Sequence, residues 1–245
     1  MKKRKKIIII CSIIFSLISI IVGAFFIYVE NYYHGDDFSY KALKSDDNVI
    51  VEDNDSYYSF IPKNQEYKNA IIFYQGAKVE VEAYSPLLKE LASNNIACYA
   101  IKCSFNLALF NVGSYKTIYD LVKKDNVSYY AMGHSLGGVM AGIAAKKYEA
   151  NCKGIILLAS YLSSDISKTN LSCLSIYGTN DGILKLDKYE EGKRFLPDDF
   201  TECKIDGGIH SYFASYGLQK GDGIPQVSKE FQLEKTVEYI KEFLS

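Results

Sequence analysis

The chain has 245 residues, of which 48% are hydrophobic and 23% are charged. This composition excludes a disordered or low-complexity protein, because the apolar share is that of a folded core. From residue 30 onward the chain carries 23 Lys and Arg against 29 Asp and Glu, a formal charge of −6. Nucleic-acid binding needs a basic surface that displaces counterions from phosphates, so we expect no nucleic-acid partner.

The N-terminus combines a basic head with an uncharged apolar segment. Residues 1–6 contain five Lys and Arg, and residues 7–29 contain no charged side chain. A helix over this segment would be about 34 Å long, enough to cross a bilayer. Because basic residues stay on the cytoplasmic side, the sequence predicts a single-pass signal anchor with the remaining chain outside the cell membrane. The alternative is a cleaved signal peptide, although no A-x-A-like cleavage site follows the segment.

The rest of the chain predicts a polar stalk over 30–46 and one α/β domain over 47–245. After an initial hairpin, strand-like and helix-like segments alternate, which predicts a mostly parallel central sheet with helices on both faces. The hairpin strands are predicted at 48–52 and 57–61, and the later strands at 70–74, 95–101, 128–132, 155–159, 171–177 and 201–205. The helices are predicted around Tyr84, Leu87, Leu88 and Leu91, and over 112–123, 136–148 and 233–243.

The cysteines and the remaining motifs indicate neither a metal nor a cofactor. The chain has six Cys, and none forms a C-x-x-C pair. We expect buried thiols in the exported domain, and one disulfide is the alternative. No nucleotide or flavin motif is present, so no cofactor is expected.

The segment 132–138 carries the strongest chemical signal. It reads Met-Gly-His-Ser-Leu-Gly-Gly and fits G-x-S-x-G, with a predicted strand before it and a predicted helix after it. Gly133 and Gly137 remove side chains that would clash where a tight turn lifts Ser135 above the sheet. Ser135 also lies at a helix N-terminus, whose N–H groups favour a developing oxyanion. The segment therefore predicts a serine nucleophile; the alternative is a glycine-rich helix start without chemistry.

A serine nucleophile needs a base, which is most often histidine. The chain has three His residues. His34 belongs to the predicted stalk, and His134 adjoins Ser135, so its side chain is expected to point to the other side of the turn. His210 follows the last predicted strand, at the end of the sheet where ligand sites gather, and is the predicted base.

The third group should be a carboxylate between the serine and the histidine in the chain. Asp181 follows the strand predicted at 171–177. The order Ser135, Asp181, His210 is the order in which serine, acid and histidine follow one another in the fold that carries a G-x-S-x-G turn. Asp165, after the preceding strand, is the rival acid, and Asp187, inside a predicted helix, is a weaker one. We favour Asp181.

An oxyanion needs two backbone donors near the serine. The N–H of Leu136 is one expected donor, and the loop at 74–79, after the first parallel strand, supplies the other. Gly76 suits a sharp turn in that loop, and Ala77 is the predicted donor.

An apolar segment at 105–110 follows another strand end. Phe105, Leu107 and Phe110 are therefore candidates for an acyl pocket, with a packed core loop as the alternative.

These motifs together resemble the α/β-hydrolase superfamily, and more narrowly the bacterial alpha/beta hydrolase family 5 domains. The likeness extends from about residue 48 to the C-terminus. Its landmarks lie at 74–79, 105–110, 133–138, 178–182, 207–210, 216–217 and Gly221-Asp222-Gly223. The resemblance implies a serine hydrolase with the triad Ser135, Asp181 and His210. Gln75 and Ser104 stand where the family often has Pro, which bears on the shape of the oxyanion loop and the acyl pocket.

The sequence therefore predicts a membrane-anchored extracytoplasmic serine hydrolase. Its expected substrate is a small or lipid-derived carboxylic ester, cleaved through an acyl-enzyme on Ser135. Thioesters, lactones and peptides are alternative substrates. A non-catalytic binding module that retains the fold is the alternative from another class, because fold does not imply function.

Overall fold

The structure is a computed structural model that describes residues 2–63 and 65–245. The chain divides into two compact units between Tyr32 and Tyr33. The first unit is one helix, α1 (Lys2–Glu30), with exposed apolar side chains. It includes the predicted segment 7–29, and it is long and apolar enough to cross a membrane, a property that signal sequences share.

The second unit is built on an eight-stranded sheet in the spatial order β1-β2-β4-β3-β5-β6-β7-β8. Strands β1 and β2 form the predicted hairpin, β2 is also antiparallel to β4, and all other neighbouring strands are parallel. The strands are β1 (Val49–Asp53), β2 (Tyr57–Pro62), β3 (Asn69–Tyr74), β4 (Ile96–Ile101), β5 (Ser128–His134), β6 (Gly154–Leu158), β7 (Ser172–Gly178) and β8 (Phe200–Ile205).

Helices cover both faces of this sheet. They are α2 (Asp37–Ala42), α3 (Ser85–Ser93), α4 (Ser114–Val122), α5 (Leu136–Lys147), α6 (Leu186–Gly192) and α7 (Lys229–Phe243). Successive residues of β3 point to opposite faces, so Ile71 and Phe73 pack with α3 and α7, whereas Ile72 packs with α4 and α5. The α/β-hydrolase fold predicted from the sequence is confirmed, with each predicted strand present within one or two residues of its expected ends.

The structure differs from the sequence prediction over the segment 30–46, which was expected to be a stalk. Residues from Tyr33 onward pack on the domain: the Tyr33 N–H donates to the Lys78 carbonyl at 2.7 Å, and the Glu80 N–H donates to the Tyr33 carbonyl at 3.0 Å. Helix α2 follows, capped by the Asp36 carboxylate on the Ser39 N–H. The prediction of a stalk was wrong here because a six-residue helix is too short to give a hydrophobic period.

Candidate functional site

Ser135 lies in a sharp turn between β5 and α5. Its backbone has φ 53° and ψ −124°, a conformation that is strained for a residue with a side chain, and its N–H donates to the Leu158 carbonyl at 2.9 Å. The turn depends on close backbone contacts, because a Cβ on Gly137 would lie 2.2 Å from the Tyr74 carbonyl oxygen, and one on Gly133 would lie 2.3 Å from Gly137. The two glycines therefore let Ser135 reach the C-terminal edge of the sheet half-exposed.

The neighbouring strand also holds this turn. Ser160 follows β6 and is buried, and its hydroxyl donates to the Ser135 carbonyl at 2.6 Å. Ser160 was not predicted from the sequence, because a single serine after a strand belongs to no motif.

Asp181 and His210 form a buried pair at the same edge of the sheet. The Asp181 Oδ2 lies 2.8 Å from the His210 Nδ1, and each side chain is only 2% exposed. Because a carboxylate can only accept, Nδ1 is the donor and Nε2 is left to act as a base. The Asp181 Oδ1 accepts from the N–H groups of Ile183 and Leu184 at 2.8 and 2.7 Å, which fixes the carboxylate.

The His210 ring lies beside the turn that carries Ser135. Its centroid is 4.4 Å from that of His134, the residue that precedes the serine. In the described part of the chain Ser135 Oγ is not hydrogen-bonded to His210. Such catalytic bonds are often long without substrate and tighten when it binds. The structure thus brings all three predicted residues to one edge of the sheet and joins two of them directly.

His134 differs from its prediction, because its side chain does not leave the site. It lies between Tyr84 and His210, fully buried. The Gly76 N–H donates to the Tyr84 hydroxyl at 2.9 Å, and the same hydroxyl is hydrogen-bonded to His134 Nδ1, also at 2.9 Å. Burial and the adjacent His210 lower the pKa of His134 well below its usual value. An imidazole whose pKa is lowered in this way is a poor general base, so His210 stays the predicted base.

The two rival acids lie elsewhere. Asp165 is exposed and accepts from the N–H and hydroxyl of Ser167 at 2.9 and 2.7 Å, and these bonds lower its pKa. Asp187 is exposed in the first turn of α6. Neither contacts His210.

The loop after β3 contains the predicted oxyanion donor, Ala77. Within the described chain the Ala77 N–H has no hydrogen-bond partner, whereas the Lys78 N–H donates to the Asn106 carbonyl at 2.8 Å. Leu136 is the first residue of α5, so its N–H has no partner inside the helix. Both N–H groups are therefore available to a ligand.

Gln75 explains how this loop forms without the proline that the family often has. Its buried amide nitrogen donates to the Val79 carbonyl at 2.7 Å and to Asn106 Oδ1 at 2.9 Å. Its amide oxygen accepts from the Cys103 N–H at 3.3 Å. Gln75 thus closes the loop with one hydrogen bond and ties it to the segment after β4 with two.

The three candidate acyl-pocket residues differ in exposure. Leu107 is buried, whereas Phe105 and Phe110 are 46% and 50% exposed. The two phenylalanine rings meet edge to face, with centroids 5.8 Å apart. Asn106, between them in the chain, bonds the oxyanion loop, so this exposed aromatic pair belongs to a segment adjacent to that loop.

The described residues include no group of three or more His, Cys, Asp or Glu arranged to hold a metal ion. All cysteines are free thiols, and Cys98, Cys103, Cys152 and Cys173 are buried.

Comparison with solved structures supports the fold. The chain resembles the virulence factor BioJ of Francisella, with 16% identity, a TM-score of 0.62 and coverage of 84% of this chain and 88% of that one. It also resembles an esterase of Pyrobaculum calidifontis, with 14% identity, a TM-score of 0.61 and coverage of 84% and 89%. Est1E of Butyrivibrio proteoclasticus gives 16% identity, a TM-score of 0.58 and coverage of 80% and 97%.

The comparison of sequences points to the same fold. None of the curated proteins compared with the chain matches it. The model of the alpha/beta hydrolase family matches residues 70–234, about two thirds of the chain, and that range contains Ser135, Asp181 and His210. On this match, the chain belongs to the alpha/beta hydrolase family.

Proposed function

We propose that the protein is a serine hydrolase that cleaves carboxylic esters through an acyl-enzyme on Ser135. The observation that carries this proposal is the buried Asp181–His210 hydrogen bond of 2.8 Å, beside a strained turn that presents Ser135. A surface pair would be solvated and mobile, but both of these side chains are 2% exposed, and the N–H groups of Ile183 and Leu184 fix the Asp181 carboxylate that holds the His210 ring. Such a fixed acid–histidine pair is what activation of a serine needs.

We assign the role of each group from the atoms that it can present to a substrate. His210 Nε2 takes the Ser135 proton as the Oγ attacks the substrate carbonyl. Asp181 orients the ring and stabilises the imidazolium that forms. The N–H groups of Ala77 and Leu136 hold the oxyanion. His210 then protonates the leaving alcohol, and water, activated by the same nitrogen, releases the acid.

Two observations support a carboxylic ester as the substrate, with thioesters, lactones and peptides as the alternatives. A protein called an esterase is among the structures that share this fold, although the shared fold by itself does not fix the substrate. The exposed aromatic pair Phe105 and Phe110 offers apolar surface to an acyl chain. The two side chains are 46% and 50% exposed, which suits a small or lipid-derived acyl group at a surface.

Hydrolysis of p-nitrophenyl esters of increasing acyl length tests this proposal. The full chain, purified in detergent, is expected to release nitrophenol, with an optimum that reflects the apolar surface around Phe105 and Phe110. Phe110→Ala should lower kcat/KM for the longer esters more than for the acetate. Turnover of peptide or thioester substrates alone would contradict the ester assignment, and no turnover of any of them would favour the non-catalytic binding module.

We also propose that residues 7–29 anchor the protein, with 1–6 in the cytoplasm and the hydrolase domain outside. The five cations before an uncharged apolar helix support this orientation. The protein is expected to stay in the membrane fraction after alkaline carbonate extraction, and protease added to spheroplasts should degrade the domain. A soluble mature chain that starts between residues 23 and 40 would instead indicate a cleaved signal sequence.

A further inference from the structure

We infer that Asp222 is a positioning residue, which fixes the loops of Asp181 and His210 relative to each other. This inference rests on the proposed function, because it concerns the same acid–histidine pair. Asp222 belongs to the loop that precedes α7 and is half-buried.

The Asp222 carboxylate accepts hydrogen bonds from both loops at once. Its Oδ1 accepts from the Gly182 N–H and the His210 N–H, each at 3.2 Å, and from the Gly223 N–H at 2.8 Å. Its Oδ2 accepts from the Ser211 N–H at 2.8 Å and from the Ser211 hydroxyl. Gly182 follows Asp181 in the chain. The Asp222 carboxylate therefore holds both the backbone next to Asp181 and the backbone of His210.

The negative charge of Asp222 allows its carboxylate to accept hydrogen bonds from both loops. Four of its five partners are N–H groups, which can only donate, and an ionised carboxylate accepts at both oxygens without presenting a proton to them. Burial raises the pKa of Asp222, but the hydrogen bonds from Ser211, Gly223 and Gly182 outweigh it and bring the pKa below the usual value. The group is therefore a carboxylate at neutral pH.

The rest of the loop reinforces this link. A Cβ on Gly223 would lie 1.7 Å from the Asn180 carbonyl oxygen, so the two loops are in direct backbone contact there. The Asn180 side-chain nitrogen donates to the Ile224 carbonyl at 3.0 Å. Through these contacts the loop at 221–224 acts as a brace across the C-terminal ends of β7 and β8. Asp181 holds the His210 ring, and Asp222 holds the backbone from which that ring projects.

Asp222→Asn tests this role in the full chain in detergent. The substitution keeps the shape but turns one acceptor into an N–H donor that faces the Ser211 N–H and hydroxyl. We expect kcat for the best ester to fall about 10- to 100-fold, because a small misplacement of a catalytic group costs about that much, and KM to change little. Asp165→Asn is the matched control, since Asp165 accepts from the N–H and hydroxyl of Ser167 in the same way but lies away from His210. The control should keep the wild-type kcat within about twofold.

A second variant covers the case in which Asp222→Asn fails to fold. Ser211→Ala removes one of the five donors and leaves the carboxylate, and we expect a smaller fall in kcat. If Asp222 acts through Ser211 and His210, the variant that combines Asp222→Asn with Ser211→Ala should be no slower than Asp222→Asn alone. If Asp222→Asn folds, additive losses in the double variant would overturn the inference; if it does not fold, an unchanged kcat in Ser211→Ala would overturn it.

An NMR readout separates this inference from the proposed function. The His210 Nδ1 proton, held by Asp181, should give a downfield resonance, assigned by its loss in His210→Gln. We expect Asp222→Asn to shift or broaden it, and Asp165→Asn to leave it in place. A wild-type protein without esterase activity would refute the proposed function, yet this resonance would still report on positioning. An unshifted resonance in a folded Asp222→Asn protein would overturn the role of Asp222.

Discussion

Ser135→Ala is expected to reduce kcat on the best ester by about 10⁶-fold, which is the scale of loss when a serine nucleophile is removed. The fold should survive, because the Ser135 hydroxyl makes no hydrogen bond within the described chain and Ala can occupy the same strained backbone. Nitrophenol release and a thermal melt of the same sample measure both effects.

Ser167→Ala serves as the control for this variant. Ser167 is also half-buried, and its hydroxyl bonds only to Asp165 among the described residues. Its removal should leave kcat unchanged. Turnover by Ser135→Ala at the wild-type rate would refute the acyl-enzyme mechanism.

Asp181→Asn is expected to lower kcat by about 10⁴-fold with a small change in KM. Asn can keep its oxygen toward the N–H groups of Ile183 and Leu184, which places its amide N–H₂ against His210 Nδ1. The imidazole must then accept at Nδ1 and carry its proton on Nε2, so it cannot take the serine proton. Steady-state kinetics of the variant measure the loss.

The rival acid provides the decisive comparison. Asp165 is exposed and bonded to Ser167, so Asp165→Asn should keep kcat within about twofold of the wild type. A large loss in Asp165→Asn together with full activity in Asp181→Asn would reverse the assignment of the acid.

The fold was predictable because its signals are local. Short β-branched runs such as 70–74 and 155–159 end at turn residues, and alternation with amphipathic helices implies a parallel sheet. The turn around Ser135 was predictable for a steric reason, since only glycine tolerates the contacts at 133 and 137. Asp181 followed from its place after a strand. Its contact with His210 is an observation of the structure, while the catalytic roles of the three residues stay predictions.

The features that were not predicted from the sequence depend on contacts between distant parts of the chain. The segment at 33–42 folds because Glu80 accepts from the Gly35 N–H and the Tyr40 hydroxyl, partners about forty residues away that no periodicity reveals. His134 stays in the site because Tyr84 holds its Nδ1 from another element. Asp222 lay within the landmark Gly221-Asp222-Gly223, but its partners on two other loops appear only in three dimensions.

Labelling with a fluorophosphonate probe, followed by mass mapping of the adduct, is the sharpest test of the proposed nucleophile. It asks whether Ser135 is an activated nucleophile, whatever the natural substrate. We predict one adduct per chain, on the peptide that contains Ser135. This adduct should be absent in Ser135→Ala and form much more slowly in His210→Gln. A wild-type protein that remains unlabelled, or an adduct on another residue that persists in Ser135→Ala, would contradict the account.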